Sequence, residues 1–292
     1  MAERNAKLIL MVGVLGVSAL AILVRFSQAP SGVTAAYRLG WTVLLLLPVV
    51  LLRCRAELRR VTARDLVLCG ASGVLLALHF LTWFESLKRT SVASSTVLVS
   101  TEVIFTALGF ALFLHGKIPR LGVWAILLAF GGSALLALSG GGGAGELSGN
   151  LLALAAASAA AVYTLIGRIQ RGHLSTTVYT FLTYLACFLT LLLGTAAAGT
   201  PLTGYGGREW LIGLALAVLC TLLEHSLFSW CLKYLSPSYV SAAKLCEPVF
   251  SSLAAIPLFG EVPGPLQLAG GAAVLGAVLL YTWAEREKTP AG

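Results

Sequence analysis

Long apolar runs, separated by short polar breaks, organise this sequence from end to end. A helix needs about 20 mainly apolar residues to cross a bilayer. Ten runs come close to that length, at residues 8–26, 33–52, 66–86, 92–114, 122–138, 151–166, 176–197, 210–232, 239–259 and 266–283. Glycine and proline concentrate in breaks such as 29–32 and 263–265, where they favour turns. The pattern predicts an all-α membrane protein with ten transmembrane helices.

Two carboxylates occupy matching positions in the two halves of the chain. Glu102 and Glu247 each lie within an apolar run, and Lys88 and Lys233 precede them at the same spacing, since 247 − 102 and 233 − 88 both give 145. A duplicated membrane segment with a charge at the same place in both copies indicates a transport path between the repeats. The predicted division is a first repeat at 1–140, a connector at 141–148, a second repeat at 149–285 and a tail at 286–292.

The distribution of basic residues predicts the orientation of the chain. If the N-terminus is cytoplasmic, the cytoplasmic segments hold 14 of the 20 lysines and arginines, and the outer loops hold only Lys88, Arg89 and Arg208. Cytoplasmic loops carry such an excess of positive charge. Both termini are therefore predicted to lie in the cytoplasm, in a multi-pass protein of the cytoplasmic membrane. Because five helices is an odd number, the second repeat would be inverted relative to the first, as in many secondary transporters.

Composition argues against several other classes of protein. Only 11% of the residues are charged, against about 25% in soluble domains, so no large soluble domain fits into the chain. The net charge of +8 lies mainly in short loops and lacks the basic stripe of a nucleic-acid binder, so no nucleic-acid partner is expected. The sequence has no zinc-protease, nucleophile-elbow or Walker motif. We therefore expect no metal, no cofactor and no enzymatic activity.

Three stretches of the sequence carry a resemblance to a known family. They are AILVR at 21–25 with AP at 29–30 and AYR at 36–38, ALHF at 77–80 followed by SVASSTVLV at 91–99, and HSLFSW at 225–230 followed by YLS at 234–236 and EPV at 247–249. In this order and spacing, the chain resembles the ten-helix drug/metabolite transporters with two EamA-type repeats. The resemblance covers nearly the whole chain. It implies uptake or export of small metabolites or toxic compounds without ATP, and it names no substrate.

The chain departs from the family pattern at several positions, most of them charged in this chain. Members usually have proline where Val103 stands, often glycine in place of Glu224, and an apolar residue in place of Lys244. The loop after the fourth helix usually reads Gly-Glu, whereas this chain has Gly116-Lys117. The added charge lies in the cavity that the resemblance implies, so the substrates of better-known members do not transfer to this chain.

The two matching carboxylates are expected to differ in their chemistry. An ionisable group at the bilayer centre costs at least about 2.5–3.5 kcal/mol. Glu102 should therefore face either a cavity, where it could take up and release a proton, or a neighbouring helix that accepts its proton in a hydrogen bond. Lys244 lies three residues before Glu247 on the same helix face. These two residues form either a structural ion pair or a part of the substrate site, beside Pro248, which removes a backbone donor.

Three further candidates come from the predicted eighth helix. Glu224 is a third carboxylate without a counterpart in the first half, and the adjacent His225 points about 100° away from it around the helix. His225 belongs to the family motif and is expected to bond to a neighbouring helix. Trp230 is either an interfacial anchor or a wall of the substrate cavity.

Four candidates lie elsewhere in the chain. His79 and Trp83 are four residues apart and share a helix face. His79 is either a structural hydrogen bonder or a group that titrates near physiological pH, and Trp83 is either an anchor or a cavity wall, with the anchor slightly favoured. Arg38 would neutralise a glutamate or bind an anionic group. Tyr163 would donate a hydrogen bond to a ligand.

Two hypotheses about function follow from these features. The first is a secondary transporter that exports a small polar or cationic metabolite, such as an amino acid, an amine or a drug-like compound, in exchange for protons. Its partners would be the small molecule, protons and the lipid bilayer. The alternative is a non-transporting membrane sensor or assembly component, in which the intramembrane charges pair with one another and leave no accessible cavity.

Overall fold

The structure is a computed structural model that describes residues 2–113, 118–139, 144–170, 173–223, 227, 231 and 246–286. Four of the candidates named above, Glu224, His225, Trp230 and Lys244, lie outside the described residues. Within the described ranges, every regular element is a helix. The all-α class predicted from the apolar runs is therefore confirmed.

The helices follow the apolar runs closely. In chain order they are α1 (Ala2–Phe26), α2 (Ser31–Arg53), α3 (Arg55–Leu58), α4 (Ala63–Arg89), α5 (Val92–Val99), α6 (Glu102–Phe113), α7 (Arg120–Ser139), α8 (Ala144–Gln170), α9 (Thr176–Ala197), α10 (Gly207–Ala217) with a π-helical continuation (Val218–Leu223), α11 (Cys246–Phe259) and α12 (Pro265–Arg286). Seven stretches of the described chain are long and apolar enough to cross a membrane, and the apolar parts of α7 and α11 are shorter. The chain thus has the architecture of a multi-pass membrane protein, while the number of ten spans stays a prediction.

Hydroxyl side chains in the breaks begin three of the helices. The Thr62 hydroxyl accepts a hydrogen bond from the Asp65 backbone amide at 3.2 Å, and the Asp65 carboxylate accepts one from the Thr62 amide at 3.0 Å. Ser91 accepts from the amide of residue 94 before α5, and Ser175 accepts from the amide of residue 178 before α9. Each cap satisfies a backbone donor that the helix itself leaves unpaired.

A reciprocal glycine contact joins α7 to α12. A Cβ atom at Gly132 would lie 2.9 Å from the carbonyl oxygen of Gly270, and a Cβ atom at Gly270 would lie 2.8 Å from the carbonyl oxygen of Gly132. Only residues without a side chain permit two membrane helices to approach this closely. The adjacent Gly131 has no neighbouring atom within 4 Å of a Cβ position, so it faces away from α12.

This contact predicts a difference between two neighbouring glycine-to-alanine substitutions. Both changes improve helix propensity by about 0.8–1.0 kcal/mol, but only Gly132→Ala inserts a methyl group against the α12 backbone. We expect Gly132→Ala to lower stability by about 1–3 kcal/mol and Gly131→Ala to preserve or raise it. Thermal unfolding of the purified variants in detergent measures both effects. Equal unfolding temperatures for the two variants would show that α7 and α12 do not pack as described.

The loops gather at two ends of the bundle. The upper end contains the connections at 27–30, 90–91, 198–206 and 260–264, where the Lys88 ammonium donates to the Ala29 carbonyl oxygen at 2.6 Å. The lower end contains the connections at 54–62 and 173–175, where the Ser175 amide donates to the Glu57 carboxylate at 2.6 Å. This arrangement follows from the alternating directions of successive long helices.

Candidate functional site

The predicted span at 92–114 is interrupted near its middle. Helix α5 ends at Val99, and α6 begins at Glu102. At the interruption, the Ser100 amide is shared between the Thr96 carbonyl at 3.3 Å and the Val97 carbonyl at 3.2 Å, and the Thr101 amide donates to the Leu98 carbonyl at 3.1 Å. The last of these bonds closes a tighter turn than that of an α-helix. The Thr101 hydroxyl also donates to the Leu98 carbonyl at 2.6 Å. Such side-chain bonds to the backbone compete with regular helix bonding.

Glu102 is the first residue after this interruption. Its side chain is half-buried, and its Oε1 atom accepts a hydrogen bond from the Thr164 hydroxyl of α8 at 2.8 Å. The N-terminus of a helix carries a partial positive charge that stabilises an anion. The fold therefore supplies Glu102 with a local positive potential that sequence spacing did not indicate.

Glu247 lies in the matching helix of the second half. It is the second residue of α11 as described, and it is half-buried beside the buried Pro248. The Pro248 carbonyl accepts hydrogen bonds from the hydroxyls of Ser251, at 3.2 Å, and Ser252. The predicted ion pair between Glu247 and Lys244 involves a residue outside the described part of the chain and stays a prediction.

Arg38 is buried in the bundle, with 5% of its surface exposed. Its Nε atom donates to the Thr221 hydroxyl and its Nη2 atom to the Cys220 carbonyl, both at 3.1 Å. Its guanidinium carbon lies 4.4 Å from the centre of the Phe80 ring, close enough for a cation–π contact. Both oxygen acceptors belong to the π-helical segment Val218–Leu223, a type of distortion that is frequent at functional sites.

Arg38 retains one unsatisfied donor. Its Nη1 atom is buried and has no hydrogen-bond partner in the described part of the chain. No described carboxylate lies within ion-pair distance of its guanidinium. Of the two predicted roles for Arg38, neutralising a glutamate is therefore not seen among the described residues, and binding an anionic group stays a prediction.

His79 and Trp83 share a buried face of α4. The His79 Nδ1 atom lies 2.9 Å from the Ala156 carbonyl of α8, so this nitrogen donates and carries the proton. Trp83 is 5% exposed, and its indole Nε1 atom is buried without a partner among the described residues. Trp83 therefore packs inside the bundle, six residues before the end of α4 at Arg89, and its role as an anchor or a cavity wall stays a prediction.

Helix α8 lies beside two of these groups. Ala156 contacts His79, and Thr164 contacts Glu102; the two α8 positions are about 12 Å apart along the helix axis. Tyr163, adjacent to Thr164, is half-buried and packs against the core. Glu102 thus contacts α8 at Thr164, and His79 contacts it at Ala156.

The upper end contains an ion pair that sequence spacing did not reveal. The Arg25 guanidinium donates to Glu261 Oε1 and to the carbonyl oxygens of Leu87 and Thr90. The second carboxylate oxygen of Glu261 accepts from the Val92 amide at 2.7 Å. We call these five residues the upper-end network. It joins helices of the first half to the loop between α11 and α12.

The contacts around the upper-end network extend this connection. The Gln267 side-chain amide donates to the hydroxyls of Ser91 and Ser94, each at 3.3 Å. A cavity of about 250 Å³ lies beside these residues and is lined in part by Glu146 and Glu261. The upper end is therefore held together by hydrogen bonds between the two halves of the chain.

Comparison with known families decides the identity of this architecture. The model of the EamA-like transporter family matches residues 5–138 and again residues 147–283. The chain belongs to the EamA-like transporter family. It is a membrane transporter and not an enzyme, and the resemblance seen in the sequence motifs is confirmed.

Individual relatives are more distant. The chain is 24% identical over 207 residues to the pseudopaline exporter CntI of Pseudomonas aeruginosa strain UCBPP-PA14, covering 71% of this chain and 72% of that protein. The protein of the same name from strain PAO1 matches to the same extent. One solved crystal structure superimposes over 98% of this chain and 99% of its own chain, with a TM-score of 0.61 and 19% identity. That likeness establishes the fold alone.

Proposed function

We propose that this transporter is a secondary active exporter, which moves a small polar or cationic metabolite out across the cytoplasmic membrane in exchange for protons. An amino acid, an amine or a drug-like compound fits this description. The observation that carries the proposal is the interruption between α5 and α6, with the carboxylate of Glu102 at the start of the second half-helix. Interrupted helices of this kind form the substrate and ion sites of many secondary transporters.

Glu102 supplies the proton-binding step of the proposal. Its carboxylate is held by the Thr164 hydroxyl at 2.8 Å and by the positive end of α6. A proton or a cationic substrate group competes for the same charge, so only one of them is bound at a time. A conformational equilibrium shifts only when a ligand interacts differently with the two states, and protonation of Glu102 provides such a difference.

Alternating access is the proposed mechanism, in a topology of ten spans arranged as two inverted repeats with both termini in the cytoplasm. In this orientation the upper end faces outwards. The network between Arg25 and Glu261 supports a conformation that is closed at the upper end, because the network crosses between the two halves. The substrate leaves when the halves separate there and this network breaks.

The remaining proposed site residues surround this path. His79, Trp83, Arg38 and Tyr163 are described and buried or half-buried. The proposal also includes, from the sequence, Glu247 with its neighbour Lys244, and the group formed by Glu224, His225 and Trp230. The direction of transport is supported by the distant relatives that are described as exporters. The substrate of those relatives is not transferred to this chain.

Arg38 offers a prediction that separates stability from transport. Its buried charge has no described counter-ion, and replacing such a charge by an apolar side chain is often neutral or stabilising. Thr221 already donates to the Leu216 carbonyl at 3.2 Å, so it keeps a partner in the variant. We expect Arg38→Met to unfold at the same or a higher temperature than the wild type while its transport rate falls by about tenfold or more.

The comparison variant for this prediction is Arg38→Lys. It keeps the charge but loses the planar fork that contacts two acceptors and the Phe80 ring. The transport rate of Arg38→Lys should lie between those of the wild type and Arg38→Met. If Arg38→Met instead unfolds at a much lower temperature and transports at the wild-type rate per folded molecule, Arg38 has a structural role only.

The proposed function is tested with purified protein in proteoliposomes. A thermal-shift screen against amines, amino acids and nucleosides first identifies a ligand, since binding to the folded state raises its stability. Flux of that ligand is then measured with and without an imposed pH gradient. The proposal expects flux that increases with the gradient and proton movement in the opposite direction. Ligand flux that ignores the gradient would disprove the coupling, and absence of any flux would favour the sensor or assembly alternative.

A further inference from the structure

A second charged feature lies at the lower end, away from the proposed transport path. Five arginines occur between residues 53 and 64, namely Arg53, Arg55, Arg59, Arg60 and Arg64. All five are exposed. We call them the arginine segment; it comprises the end of α2, the short helix α3 and the start of α4.

The two carboxylates near the arginine segment are engaged elsewhere. Glu57 accepts a hydrogen bond from the Ser175 amide at 2.6 Å. Asp65 accepts from the amide and hydroxyl of Thr62 with one oxygen and from the Gln170 amide group, at 3.2 Å, with the other. Among the described residues, none of the five arginines forms an ion pair.

The basic residues at the upper end differ in this respect. Arg25 is paired with Glu261, and Arg89 is paired with Glu85. Lys88 donates to the Ala29 carbonyl, and Arg208 donates to the Phe26 carbonyl at 3.1 Å. The two ends therefore differ in the number of their basic residues and in the partners of those side chains. In the described part of the chain, positive charge without an ion-pair partner is concentrated at the lower end.

Apolar side chains on either side of the arginine segment place it at the edge of the lipid-facing surface. Leu51 and Leu52, directly before Arg53, are 51% and 84% exposed. Leu66 and Val67, directly after Asp65, are 54% and 70% exposed. In a membrane protein, exposed apolar side chains face lipid. The arginines between these two pairs consequently lie at the depth of the lipid headgroups.

We infer that the arginine segment is a binding site for the phosphate groups of anionic glycerophospholipids, such as phosphatidylglycerol, in the leaflet at the lower end. The planar guanidinium group matches phosphate oxygens with two parallel hydrogen bonds. Clusters of basic residues next to a membrane helix attract anionic lipids in this way. A lipid fits better than an acidic protein, because the flanking leucine and valine side chains occupy the acyl-chain region beside the same headgroup.

The inference is tested by titrating phosphatidylglycerol into the full-length protein in phosphatidylcholine nanodiscs and measuring bound lipid and the thermal unfolding temperature. The wild type should bind phosphatidylglycerol and gain stability, and added salt should weaken both effects. The variant Arg55→Gln/Arg59→Gln/Arg60→Gln should lose affinity by about a hundredfold. Replacing the same three residues by lysine should restore most of the binding, since the charge returns without the planar fork.

A matched variant at the other end controls for net charge. Lys88→Gln/Arg89→Gln/Arg208→Gln also removes three positive charges, but from groups that already have partners. It should respond to phosphatidylglycerol as the wild type does. An equal loss of lipid binding in both triple variants, or a wild type that gains no stability from phosphatidylglycerol, would overturn the inference. An equal gain from soluble glycerol phosphate, or from an acidic peptide in place of the lipid, would also overturn it.

Discussion

Glu102→Gln is expected to lower proton-coupled flux by about 10- to 100-fold and to leave the protein folded. The substitution keeps the shape of the side chain and an oxygen that can accept from the Thr164 hydroxyl, but it removes the charge and the site of protonation. A hydrogen bond to a charged group contributes about 1.5–3 kcal/mol, and each 1.36 kcal/mol in a barrier corresponds to a factor of ten in rate. Flux under a pH gradient in proteoliposomes measures the loss.

Two comparison variants locate the cause of this effect. Glu85→Gln removes a carboxylate from an exposed pair with Arg89, and such pairs contribute little, so its flux should remain near that of the wild type. Thr164→Val removes the donor to Glu102 and should lower flux to a smaller extent, whereas Thr164→Ser should not. Full coupled flux in Glu102→Gln would remove Glu102 from the mechanism, even if the chain transports the ligand.

The second large effect is expected at the upper end, where Glu261→Gln should open the bundle. The Arg25–Glu261 pair is partly buried, with side chains 24% and 19% exposed, and Glu261 also accepts from the Val92 amide. Glutamine keeps one oxygen acceptor, so the net loss of about one charge-assisted bond, at about 1.5–3 kcal/mol, shifts the balance of conformations about 10- to 100-fold towards the open one. A cysteine introduced by Val97→Cys, at a site now 6% exposed, reports this shift as faster labelling from the upper side.

Two control variants test whether the change in labelling comes from the upper-end network. Arg89→Gln disrupts the surface pair at the same end and should leave labelling unchanged. The exchange Arg25→Glu/Glu261→Arg restores the ion pair, but an arginine at 261 cannot accept from the Val92 amide, nor can a glutamate at 25 donate to the Leu87 carbonyl. In the exchange variant, the labelling rate should therefore fall only part of the way back to that of the wild type. Unchanged labelling in Glu261→Gln would show that the network does not hold the upper end closed.

Sequence patterns predicted the helices well because the length of an apolar run is a local property. The runs at 8–26 and 176–197 coincide with a membrane-spanning stretch and a helix of the structure, respectively. The two family repeats could also be recognised from the sequence, because it contains motifs such as EPV at 247–249. Glycine and proline residues marked breaks such as 29–32 and 263–265 between the helices.

Features that depend on packing could not be predicted in the same way. At the interruption before Glu102, the hydroxyls of Ser100 and Thr101 bond to carbonyls of the preceding turn, and the continuous apolar run gives no sign of this break. The partner of Arg25 is separated from it by 236 residues, so no local pattern connects them.

The structure adds a difference between the matching carboxylates Glu102 and Glu247. Glu102 lies at the start of a half-helix and accepts from Thr164, so its ionised form has local support. From the sequence alone, Glu102 had no neighbouring group that would favour its ionised form, whereas Glu247 had Lys244 three residues before it. The corresponding support for Glu247 rests on the predicted pair with Lys244, which lies outside the described residues.

Alternating access is tested most directly by labelling a single cysteine, introduced by Ser100→Cys, from each side of the membrane with an impermeant thiol reagent. The six native cysteines are first replaced by alanine. Ser100 is half-buried in the interruption between α5 and α6. The account predicts labelling from the lower side while the upper-end network is intact, and from the upper side after Glu261→Gln. Labelling from one side only under both conditions, or from neither side, would contradict it.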